Sequence, residues 1–204
     1  MGVGSEGMST RVKEGRAWRI GDQAAVSWIQ DGTSSGLAIT SAIPPVFDAY
    51  LTLEQVGTGA AAERWTEDKQ NRQDQAILEL LREHTAHQRW WLGFLDYAEQ
   101  AEIVFADAPR VNLYADWRYV LIEAGPEQAA AWRERHRRNG PLPALMFPTD
   151  RSWLYSNLWD DDWACVGGSQ RLVEAFLAHP DLRDRALEVD LSVEDATPPG
   201  HTAR

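Results

Sequence analysis

Cysteine is almost missing from this chain: Cys165 is the only one in 204 residues. A single thiol cannot close an intramolecular disulfide or supply the thiolates of a zinc or iron–sulfur site. Such sparing use fits a reducing compartment, and the expected location is cytoplasmic. Lysine is scarce too: Lys13 and Lys69 stand alone, and all other basic residues are arginine. With the abundant alanine, that bias suggests a GC-rich bacterial genome. No apolar run approaches the roughly 20 residues of a membrane-spanning helix. Residues 1–15 mix glycine, serine and charge, without the apolar core of a signal peptide.

Positive charge is also short. Lysine and arginine total 20 against 31 aspartate and glutamate, a formal balance of −11. A phosphate backbone or an anionic membrane is repelled by that balance, so neither nucleic acid nor lipid is the expected partner. The glycine strings that cradle dinucleotides and nucleoside triphosphates are absent, as is the Gly-x-Ser-x-Gly elbow of serine hydrolases. No cofactor is expected.

What the chain does have is 44% apolar and 25% charged residues, ordinary globular proportions, and a length that supports a core without staples. Residues 1–16 and 192–204, the latter with Pro198-Pro199-Gly200, read as flexible ends around a single domain over 17–191. Alternation predicts strands over 24–29 and 37–43, and Pro44-Pro45 suits the first turn of a helix over 44–53. The glycines and alanines of 57–66 read as a loop. Ile77, Leu80, Leu81 and His84 recur at helical spacing and predict a helix over 70–85. Strands are expected at 90–96, 103–106, 111–114 and 117–123, the last covered on both faces.

Gly125-Pro126 opens a helix to about Arg138, where arginines crowd the negative end of the helix dipole. Segments 153–158 and 163–166 read as a hairpin, and Ser169 caps a final helix that His179-Pro180 ends. The sum is an α+β fold: a mainly antiparallel sheet with three to four helices packed on one side.

Few residues group in a way that implies chemistry. Asp160, Asp161 and Asp162 are the densest acidic run, but neighbours in extended chain point to opposite faces and the spacing is not that of a calcium loop. His84 and His87 lack a third ligand, so no metal site is expected. Cys165 lies in a predicted strand and reads as a small apolar residue. Gly167-Gly168-Ser169 reads as a turn and a cap.

Ten tryptophans are the unusual feature. Trp90 and Trp91 cannot both face one core from a single strand, and Trp159 and Trp163 bracket the acidic run. Aromatic side chains beside charges have the composition of protein-binding hot spots.

The strings Ile43-Pro44-Pro45-Val46-Phe47-Asp48-Ala49-Tyr50, Trp90-Trp91-Leu92-Gly93-Phe94, Tyr119-Val120-Leu121-Ile122-Glu123-Ala124-Gly125-Pro126 and Asp150-Arg151-Ser152-Trp153-Leu154, with Leu158-Trp159-Asp160 and Val166-Gly167-Gly168-Ser169, resemble a family of small acidic, tryptophan-rich actinobacterial proteins. The likeness covers about residues 36–200. That family brings no established activity and so implies no catalytic residue. Size, acidity and tryptophan content are also similar to those of Smi1/Knr4-type immunity and scaffolding proteins, which act by binding other proteins; this is an analogy of composition.

The expected function is a non-enzymatic binding module of immunity or regulatory type. Its acidic, aromatic surface, drawn from Trp90, Trp91, Arg151, Trp159, Asp160, Asp161, Asp162 and Trp163, would meet a basic protein partner. The alternative is an enzyme or small-ligand binder with a cleft near Trp90, Trp91, Asp150, Arg151 and Asp160, where Arg151 would hold a carboxylate or phosphate. Oligomeric state is not legible.

Overall fold

The computed structural model describes residues 9–13, 16–36, 38–54, 66–85, 87–96, 106–114, 116–135, 142–158 and 163–191. Their strands are β1 (Ser9–Lys13), β2 (Arg16–Ile20), β3 (Ala49–Glu54), β4 (Trp90–Leu95), β5 (Val111–Leu113), β6 (Trp117–Ala124), β7 (Leu145–Pro148), β8 (Leu154–Ser156), β9 (Trp163–Gly168) and β10 (Ala186–Val189). The helices are α1 (Gln23–Gly32), α2 (Glu67–Glu83), α3 (Pro126–Arg135) and α4 (Gln170–Ala178), with a 3-10 turn at Ile39–Ser41.

The ten strands make one sheet in the order β1-β2-β6-β4-β7-β8-β9-β3-β10. β5 lies beside the start of β6. Every pairing is antiparallel. The class is therefore α+β.

Both faces of this sheet are covered, and the strands record it residue by residue. In β4, Trp90, Leu92 and Phe94 enter one apolar cluster, shared with α2, α3 and α4. Trp91 enters a second cluster, formed with α1 and the 3-10 turn. In β6, Val120 and Ile122 face the first while Tyr119 and Leu121 face the second. Side chains alternate across a strand, so a sheet buried on both sides needs apolar residues at consecutive positions. β6 meets the expectation of double coverage, and three helices share one face as the sequence implies; α1 lies opposite.

Local signals explain the helices. Thr66 caps α2 by accepting the Lys69 N–H, and Glu67 and Asp68 occupy its first turn, where the helix dipole favours anions. Ser169 caps α4 through the Leu172 N–H. The end of α2 is tied down from below. The Trp153 indole N–H donates to the Thr85 hydroxyl at 2.8 Å, and that hydroxyl donates to the Leu81 carbonyl. Trp153 also meets Trp90 edge-on, with ring centroids 4.8 Å apart.

Several expectations are corrected. Residues 24–29 are helix, not strand: the Asp22 carboxylate accepts the Ala24 N–H, and Val26 and Ile29 are buried one helical turn apart. Over 37–43 the described residues form the 3-10 turn instead of a strand. Within 44–53, expected to be helical, the prolines lead into β3, whose Tyr50 and Leu51 supply opposite faces. Ser9–Lys13 lies inside the supposed flexible arm yet pairs in full register with β2. Segment 103–105 and most of the 57–66 loop lie outside the described residues.

Close packing leaves no room for a side chain at Gly93, in the middle of β4. A Cβ at Gly93 would lie 2.7 Å from the Leu145 Cβ on neighbouring β7. Gly93→Ala is expected to lower the unfolding free energy by about 1–3 kcal/mol, the usual cost of overpacking. Urea denaturation measures it, and an unchanged midpoint would show that Leu145 yields freely.

Candidate functional site

The structure removes three residues from the expected recognition surface. Trp90 is 1%, Trp91 7% and Trp163 5% exposed. The expectation that Trp90 and Trp91 cannot both be inward assumed a single covered face; with two, each ring has its own core. Trp163 joins the α1-side core together with Cys165, which is fully enclosed. Trp159, Asp160, Asp161 and Asp162 lie outside the described residues. Arg151 is exposed. The alternative cleft is not assembled as expected either, because Trp90 and Trp91 point to opposite sides of β4.

A different aromatic surface surrounds Arg151. Its guanidinium carbon lies 5.4 Å from the centre of the Trp28 ring, a cation–π geometry. Trp28, on α1, is half-buried and meets Phe47 and Phe147 edge-on at 6.2 and 5.6 Å. Its indole N–H is covered and has no acceptor. Phe47 in turn contacts Tyr50 edge-on, and its N–H donates to the Tyr50 hydroxyl at 2.6 Å. Beside Phe47, Val46 is 63% exposed, an unusual state for a branched aliphatic residue in this chain. Three exposed carboxylates adjoin these groups in sequence: Asp31 one helical turn beyond Trp28, Asp48 next to Phe47, and Asp150 next to Arg151.

No family model, curated protein or solved structure matches this chain. The reading of the surface therefore rests on its own geometry.

Two features fix that geometry. A Cβ at Gly167 would fall 2.5 Å from Phe47 Cδ2 and 2.8 Å from Ile43 Cδ1, so the bare glycine of β9 is the seat on which Phe47 rests. The turn bearing Arg151 is stapled to the strand entering β4. Asp150 N–H donates to the Gln88 side-chain oxygen Oε1 at 2.8 Å, and the Gln88 side-chain NH2 donates back to the Asp150 carboxylate. Thr149 donates both its N–H and its hydroxyl to the Arg89 carbonyl, at 3.0 and 2.9 Å. Arg151 accepts a left-handed backbone, φ 59°, to complete the turn.

On the other face of the sheet, a cleft of about 730 Å³ opens between the end of α2 and the start of α3. Arg16, Arg82, Glu83, Glu127 and Gln128 line it, with Trp90 among its apolar walls. Nearby, the buried Glu123 carboxylate receives Arg19 at 2.6 Å and Arg89 at 3.4 Å. Among the described residues no group of three histidines, cysteines, aspartates or glutamates is placed to hold a metal ion.

Sequence reasoning missed Trp28 and Phe47 because both were placed in the wrong element. The available signal was Asp22, a helix-capping residue before Ala24-Ala25-Val26; read as a cap, it puts Trp28 and Asp31 on one helical stripe.

Burial alone would raise the Asp150 carboxyl, but hydrogen bonds from Ser152 and Gln88 outweigh it and hold the group below the ordinary aspartate range. A lowered folded value stabilises fully above the ordinary value of about 3.9. That contribution is lost as pH falls through the folded value. Asp150→Asn is expected to flatten this part of the acid limb in a plot of melting temperature against pH, with little change in its slope near neutrality.

Proposed function

We propose that this chain is a non-enzymatic binding protein that recognises a basic protein partner through the surface of Trp28, Val46, Phe47 and Arg151. The observation that carries the reading is the combination at one place of half-covered aromatic rings, an exposed aliphatic residue and an arginine, the side chains from which interface hot spots are built. Asp31, Asp48 and Asp150 supply an acidic margin, in keeping with the overall charge of −11. Charge of this sign steers a cationic partner toward the surface and rejects acidic competitors, while the rings supply the apolar contact that slows release. The aspartates of 160–162 belong to the same acidic character and lie outside the described residues.

Val46→Arg tests the reading with little risk to the fold, because the side chain is mostly in solvent. Immobilised full-length chain is expected to retain a basic protein from the native lysate at low salt and release it in high salt. Val46→Arg and Arg151→Ala should each weaken the purified pair at least tenfold in calorimetry. Retention that is indifferent to both variants would place recognition elsewhere.

A further inference from the structure

The cleft between α2 and α3 carries a second site, independent of the protein-binding surface. Five charged side chains line it: Arg16, Arg82 and Arg89, Glu83 and Glu127. Arg89 is already paired with Glu123, and none of the other four has an ion-pair partner among the described residues.

Arg16 is anchored over the Trp18 ring, its guanidinium carbon 4.3 Å from the centroid. Arg82 and Glu83 are fixed to the last turn of α2, whose following Thr85 is locked by Trp153. Glu127 and Gln128 fold back over Gly125, with carboxylate and amide oxygens 3.0 and 3.1 Å from where a Cβ would stand. The opening between them falls within the volume range of small-molecule sites.

We infer that this cleft binds a small zwitterion bearing a free carboxylate and a free amino group, such as an amino acid or the termini of a short peptide. The guanidinium groups of Arg16 and Arg82 hold the carboxylate, for which that planar fork is suited. Glu83 and Glu127 hold the ammonium group, and Gln128 adds a neutral hydrogen-bonding partner. Pro126 gives the aliphatic part of the ligand an apolar wall. A dianion such as phosphate fits less well, because two carboxylates share the same space.

Ligand-observed NMR on the full chain tests the assignment with three matched pools of dipeptides: free termini, amidated C-termini and acetylated N-termini. Inorganic phosphate is the fourth probe. The free pool is expected to bind, and each blocked pool to bind at least tenfold more weakly. Arg82→Gln and Glu127→Gln, both at exposed positions, should each cut binding of the free pool about tenfold with the melting temperature unchanged. Absence of binding by the free pool at millimolar concentration overturns the proposal, as does equal binding of either blocked pool. Phosphate that competes with the dipeptides and binds Glu127→Gln more tightly overturns it in favour of a simple anion site.

Discussion

The arrangement rests on the burial of the central strands on both faces. Once β4, β6 and β9 have an apolar layer above and below, consecutive residues must all be apolar or small. That explains Trp90 beside Trp91, and Val166 beside Gly167. A strand in this position has no solvent side on which to display a binding residue. The groups proposed for recognition accordingly lie at strand ends and on the covering helices: Trp28, Arg151 and the α2–α3 cleft. Among the tryptophans whose burial is described, the enclosure of Trp90, Trp91, Trp153 and Trp163 is thus a consequence of architecture, and these four report the thickness of two cores more than the extent of a surface.

The two proposed sites lie back to back across one end of the sheet, and the Gln88–Asp150 staple joins them. Gln88 and Arg89 border the cleft on one face. Asp150 and Arg151 belong to the aromatic surface on the other. The staple is made of backbone and amide hydrogen bonds, with geometry that tolerates little displacement.

The sequence made the double coverage of β6, the long helix α2, the capped helix α4 and the antiparallel class legible, because long periodic runs and capping residues are strong local signals. It failed where the signal was short or shared. The string Ala24-Ala25-Val26-Ser27-Trp28-Ile29 satisfies both a strand and a helical stripe, and only the Asp22 cap separates them. The prolines at 44 and 45 start helices and interrupt chains equally well. β1 and β2 are short, each carries two basic residues, and they pair at the sheet margin, so they resemble polar linker. The candidate site was only partly legible: Arg151 was identified, but its partner Trp28 came from a segment assigned to another element, and contacts between distant segments leave no local trace.

The strand order has a consequence for how the molecule comes into being. β3 finds its two neighbours only in β9 and β10, near the other end of the described chain, and β2 meets β6 across most of the intervening sequence. During synthesis, the apolar face of β3 therefore waits, unpaired, until late segments emerge, and loop closure over such spans slows assembly. No cut between β3 and β9 would leave two self-sufficient halves. The chain must be made in full before its interior can close, which exposes the nascent form to aggregation for longer than a fold built from neighbouring hairpins.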